Sequence, residues 1–300
     1  MTRLDATALA RHRRRNFVQS ALVLAGIAGL TALAGWLVAD TDGIAWAVFG
    51  VGLILLLQPA SSPVMLRALW GAVPLSPAAA PGLSGLVAEL SRRADLERPP
   101  QLHYIPRGEI IALSTGWGRT ATLAVSRGLL DAMTPREVAA VLAHEVSHLR
   151  HGDLQVLRLA EAAGRLTRML ALFGLLMVAL YLPAALAMGA GVPVLPVLLL
   201  VAAPPLSDLM LLKLSRTREF AADAGAAQLT GDPVGLMLAL ERLDRLQGGD
   251  WERVLAGRFR WLTLVRTHPG TDERLARLAE LAPAPRPAWI AFPDLLLPIR

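Results

Sequence analysis

AVLAHEVSHLRHGD, residues 140–153, places three of the chain's six histidines and two acids within fourteen positions. On a helix, residues four apart lie one turn apart on the same face, so the imidazoles of His144 and His148 can both reach one ion. Glu145 then projects beside that ion without ligating it, where a base is needed to take a proton from an attacking water. With six His and eleven Glu in 300 residues, chance supplies such a pattern only about 0.004 times, so the match is informative. The helix also has a clear start. Thr134 and Glu137 form a capping box, with Pro135 at the first helical position. Its stop is expected near Gly152.

Immediately downstream, Met169–Ser207 runs for 39 residues without a charge. That is too long for one membrane span of ~20 residues and suits two joined by a tight turn, with Gly189, Gly191, Pro193 and Pro196 as breakers. Upstream, Phe17–Ala39 is a clean run of 23 residues, and Gly43–Leu66 is equally clean with Pro59 and Pro63 near its end. Four spans are therefore expected, near 17–39, 43–66, 167–189 and 193–212. The first run is longer than the ~7–15 apolar residues of a cleaved signal, so an uncleaved anchor is expected. The composition agrees: 54% hydrophobic against 18% charged, with mean hydropathy +0.47.

The cations set the orientation. The loops at 40–42 and 190–192 carry no Lys or Arg, and all thirty fall in the N-terminal arm, in 67–168 and from Lys213 onward. The positive-inside rule puts both termini and the 67–168 segment in the cytoplasm, giving a multi-pass protein of the plasma or inner membrane. The net charge of +6 then reflects topology and anionic lipid, the expected partner, and no nucleic acid. Zero cysteines remove thiolate ligands, disulfides and thiol catalysis together. Any metal site must use His and carboxylates.

A catalytic zinc takes three protein ligands and keeps one position open. His151 returns to nearly the same helix face, but three turns of one straight helix cannot surround an ion. Glu219 is better placed, because a two-span hairpin brings it back to the depth from which the chain departed. A bland alternative is a solvated charge paired with Arg216 or Arg218. Asp223, one turn further, shares its face and can accept a ring N–H from a ligating His.

HEVSH followed through a membrane hairpin by EFAAD, then by THPGTDER, resembles the HtpX-type membrane zinc metalloproteases, relatives of the CAAX prenyl protease. The resemblance covers most of the chain. It implies a mainly α integral membrane protein whose four transmembrane helices carry a cytoplasmic α+β zincin-like (gluzincin) domain with a small β-sheet. It implies one zinc per chain on His144, His148 and Glu219, Glu145 as base, and Asp223 in support. It also implies that His268 and Arg274 approach the active site, to stabilise the oxyanion or to position substrate, with His268 catalytic and Arg274 behind it. Without the resemblance, His268 reads as a loop histidine before Pro269. Unfolded or membrane-protein substrates and a quality-control role are likewise implied by the family alone.

Two positions depart from the family. Ile111 stands where an Asn is common, although an edge strand of Ile111, Ala112, Leu113 and Ser114 can still hold an extended peptide through its backbone. His151 stands where Asn is frequent. The expected organisation is an arm with two spans (1–66), a cytoplasmic domain with the HEVSH helix (67–166), a membrane hairpin (167–212), and a continuation with the third ligand and a Pro-rich tail (213–300). A helix is expected near Gly82–Ala94, and a β-hairpin or meander turning near Gly116 and Gly118. The rival to a protease is a zinc-binding membrane sensor or scaffold with a restricted substrate or no proteolysis.

Overall fold

The computed structural model describes residues 6–57, 63–247 and 270–282. In chain order the elements are α1 (Ala6–Leu57), α2 (Pro63–Trp70), β1 (Val73–Pro74), α3 (Pro81–Arg93), β2 (Gln101–Ile105), β3 (Ala112–Thr115) and β4 (Thr122–Ser126). They continue with α4 (Arg127–Ala132), α5 (Pro135–His151), α6 (Asp153–Ala187), α7 (Val194–Thr230), α8 (Pro233–Gln247) and α9 (Thr271–Leu281). The protein is mostly helical, with one small mixed sheet.

Three described helices are long and apolar enough to cross a membrane: Thr7–Leu57, Asp153–Ala187 and Val194–Thr230. The first is broken where the sequence places a turn. Ala39 and Asp40 leave helical geometry, Asp40 at φ 52°, and a methyl on either Gly35 or Gly43 would overlap the backbone of the other. The two arms of α1 therefore fold back on one another. The described part of α1 ends at Leu57. Leu66 belongs to the separate α2 and packs with Trp70, Ile105 and Ala124 against the sheet.

Val23 and Ile27 of α1 pack on Ala160 and Ala163 of α6 and Leu214 of α7. The hydroxyl of Thr31 meets that of Thr167 at 2.9 Å, a polar clasp between apolar helices. Arg168 donates to Asp208, pairing the charges that flank the uncharged 169–207 stretch.

In the sheet the strand order is β1-β2-β4-β3. β2 runs parallel to β4, whereas β1 and β3 are antiparallel to their neighbours. The hairpin expected around Gly116 and Gly118 is β3–β4. The parallel β2 and the two-residue β1 go beyond a simple meander, because pairing across the intervening chain leaves no local sequence mark. Position α3 matches the helix expected at Gly82–Ala94.

Helix α5 lies in the larger of the buried apolar clusters. Leu142 and Val146 are fully buried with Leu123 and Val125 of β4, Leu236 of α8, and Leu278 and Leu281 of α9. Each such side chain stabilises by about 1.5–3 kcal/mol when removed from water. The capping box forms as read: Thr134 N and Oγ1 donate to Glu137 Oε2 at 2.7 and 2.8 Å. A left-handed Gly152, φ 61°, ends α5 and leads at once into α6, so the metal helix joins the membrane hairpin directly. Further along, a methyl on Gly225 would overlap Ser147 Oγ and stand 3.0 Å from its Cβ. The missing side chain lets α7 lie against α5.

Candidate metal centre

His144 and His148 leave α5 on one face, their rings 4.6 Å apart and nearly perpendicular. Their Nε2 atoms stand 3.0 Å apart. Glu219 comes from α7, with Oε2 3.5 Å from His144 Nε2 and Oε1 3.6 Å from His148 Nε2. One donor atom from each of the three residues lies within 4.8 Å of the others.

The outer nitrogens decide what the inner ones can do. His144 Nδ1 lies 3.0 Å from Asp223 Oδ1, and His148 Nδ1 lies 2.8 Å from Asp153 Oδ2. A carboxylate only accepts, so His148 Nδ1 carries the hydrogen of its bond to Asp153 and turns the Nε2 lone pair inward, and the Asp223 carboxylate, at ion-pair distance, favours the same tautomer at His144. Two lone pairs 3.0 Å apart repel unless a proton or a cation lies between them. Burial works against a charged imidazole at His144, but the hydrogen bonds and charge of Asp223 and Glu219 outweigh it and raise its pKa to about 10. His148 is raised in the same way: burial opposes its charge, and Asp153 and Glu219 more than compensate. The pocket demands positive charge. Two imidazole nitrogens and one carboxylate form the donor set of a catalytic zinc with its fourth position open, so these residues fit the metal.

Around this core, Arg274 of α9 grips Asp223 with two bonds, Nε to Oδ2 at 2.8 Å and Nη2 to Oδ1 at 2.6 Å. Its Nη2 also lies 4.0 Å from Glu219 Oε2. Arg274 is thus placed beside the cluster through Asp223. Glu145 stands beside the cluster, and Ser114 of β3 donates to its Oε2 at 2.7 Å. His151 turns back to the carbonyl of Ser147, 2.9 Å away, and is apart from the cluster. His268 lies outside the described residues.

The edge strand is placed one residue later than expected. Ala112, Leu113 and Ser114 belong to β3, which borders the sheet. Ile111 precedes it, buried, with its N–H donating to Ser126 Oγ and its carbonyl accepting from Ser126 N. Its backbone is committed inward, so it offers a peptide nothing. Asp153 and its partner Arg218, whose Nη1 donates to Asp153 Oδ1 at 3.2 Å, were not foreseen as site residues. The signal was the acid just past the helix-stopping Gly152.

A buried HEVSH helix joined directly to membrane-length helices, with the third donor returning from the far side of their hairpin, defines a membrane metalloprotease. The chain belongs to peptidase family M48, whose model matches residues 77–282. It is 34% identical over 288 residues to the protease HtpX homolog of Acidiphilium cryptum (strain JF-5), covering 89% of this chain and 97% of that protein. It is 30% identical over 284 residues to the protease HtpX homolog of Paraburkholderia phytofirmans (strain DSM 17436 / LMG 22146 / PsJN), again covering 89% and 97%. The solved structure of Ste24p from S. mikatae aligns at TM-score 0.46 and 18% identity, over 89% of this chain and 66% of that one.

Proposed function

We propose that the protein is a zinc-dependent endopeptidase that cuts unfolded or membrane-embedded proteins at the cytoplasmic face of the cell membrane, in membrane-protein quality control. One observation carries this reading. The two inward Nε2 atoms and Glu219 converge on one point, at the turn of α5 that also carries Glu145.

In this reading His144, His148 and Glu219 hold one zinc, which supplies a Lewis acid that activates water for attack at neutral pH. Glu145 takes the proton of the attacking water at its carboxylate and passes it to the leaving amine. Ser114 orients that carboxylate. Asp223, gripped by Arg274, holds His144 in the tautomer that turns its lone pair inward. The outer edge of β3 receives an extended peptide by backbone hydrogen bonds, and His268 assists the developing oxyanion. The two arms of α1 with α6 and α7 make four membrane crossings, both termini in the cytoplasm, supported by the cation-free loops. Lipid and protein substrates are its partners.

The test is cleavage of an unfolded protein by the detergent-purified enzyme, stripped with chelator and resupplied with zinc, beside Glu145→Gln. Zinc-dependent cutting by the wild type alone supports the reading. No cutting by either protein when both hold stoichiometric zinc overturns proteolysis and favours a sensor or scaffold.

A further inference from the structure

The mechanism above leaves one buried acid at the site without a task. Asp153 is 1% exposed, yet it is not one of the three residues whose donor atoms converge. Both its oxygens are committed: Oδ2 to His148 Nδ1 at 2.8 Å and Oδ1 to Arg218 Nη1 at 3.2 Å. We infer that Asp153 is a positioning residue that holds His148 in its metal-binding tautomer and, through Arg218, ties the metal site to the register of the α6–α7 hairpin.

The backbone explains how it reaches the site. On an unbroken helix a residue five positions past His148 sits about 140° round the axis and faces elsewhere. The left-handed Gly152 interrupts α5 and swings the next residue back beside the imidazole. Asp153 is also the first residue of α6, so the contact is made from the base of one membrane-length helix. Arg218 belongs to the other, immediately before the ligand Glu219. A closed ring results: His148, Asp153, Arg218, Glu219 and the metal. If α7 slides or turns against α6, Arg218 leaves Asp153, and the carboxylate that orients His148 loses its second anchor. Metal affinity and hairpin register then become coupled in both directions.

This inference rests on the zinc reading above, and metal binding can be measured apart from proteolysis. Full-length protein in detergent is stripped and titrated with Co2+, followed by its visible absorption, and with Zn2+ against a competing chelator. The variants are Asp153→Asn, Asp153→Ala, Arg218→Gln and, as a control one turn along α5, His151→Gln. Removing such an outer partner costs about 10- to 100-fold in metal affinity. Asp153→Ala is expected to lose that much. Asp153→Asn keeps shape and one acceptor, so it should fall between Ala and wild type, with an altered Co2+ spectrum. Arg218→Gln should weaken binding by less, and His151→Gln should match wild type.

A role in folding alone would lower thermal stability without moving the spectrum or the affinity of the folded protein. Asp153→Asn protein that binds Zn2+ as tightly as wild type, with an unchanged Co2+ spectrum, overturns the inference while leaving the metal site intact. Wild-type protein that takes up neither metal overturns the zinc reading itself, and this inference with it.

Discussion

The hydroxyl of Ser114 donates to Glu145 Oε2 at 2.7 Å, reaching from the edge strand to the metal helix. One oxygen of the proposed base is thereby fixed. Removing a hydrogen bond to a charged group costs about 1.5–3 kcal/mol, the lower end of which is roughly tenfold in rate. Ser114→Ala is therefore expected to lower kcat about tenfold, with KM and zinc content near wild type. Ser114→Thr keeps a hydroxyl and should recover part of the loss. Steady-state kinetics with metal analysis checks this. A Ser114→Ala enzyme with wild-type kcat would show that Glu145 needs no such support.

Arg274 and Asp223 form a buried, two-pronged pair, Arg274 being 8% exposed. Removing one partner of such a pair leaves an uncompensated charge and costs about 3–5 kcal/mol. Arg274→Met should thus lower the thermal midpoint and also weaken zinc binding, because Asp223 loses the cation that orients it toward His144. Arg274→Lys keeps the charge but not the fork, so it should recover stability better than affinity. Thermal unfolding and chelator competition on the same preparations separate the two effects. Full zinc affinity in Arg274→Met would detach Arg274 from the metal site.

How much of this was legible beforehand depends on range along the chain. The capping box of Thr134 and Glu137, the HEVSH spacing and the break near Asp40 are local, and each was readable from neighbouring residues. Glu219 was reachable because uncharged runs of membrane length fix where a hairpin returns. Arg242 donating to Glu137, Arg218 to Asp153 and Ser114 to Glu145 join residues far apart through packing alone. No periodicity marks them. Ile111 shows the reverse difficulty: its apolar side chain fits a strand, yet Ser126 captures its backbone and the strand begins one residue on.

The close approach of α7 to α5 gives a steric prediction. A methyl at residue 225 overlaps Ser147 Oγ, so Gly225→Ala must displace that hydroxyl or part the helices that carry the ligands. Overpacking of this kind costs about 1–3 kcal/mol. Lower thermal stability and weaker zinc binding are expected together. Adding Ser147→Ala removes the oxygen but leaves the Cβ at 3.0 Å, so the double variant should recover most but not all of both. Equal defects in the single and double variants would locate the clash elsewhere.

Glu137 supplies a pH dependence well away from the metal. Burial opposes its charge, but the bonds from Thr134 and the charge of Arg242 prevail and hold its carboxyl below the usual carboxylate range. A group whose pKa is depressed on folding adds stability above its unfolded value of about 4.3, and loses it as pH falls through the folded value. Glu137→Gln keeps a side-chain oxygen that can accept from the Thr134 N–H and loses the charge facing Arg242, whose Nε lies 2.9 Å away. The variant should therefore melt below wild type at pH 7, by an amount set by about 1–3 kcal/mol. The gap should narrow once pH drops under about 4, where wild type also becomes neutral. Thermal midpoints of both proteins across pH 3 to 8 provide the check, and a gap that stays constant down to the acid end would remove the charge of Glu137 as its cause.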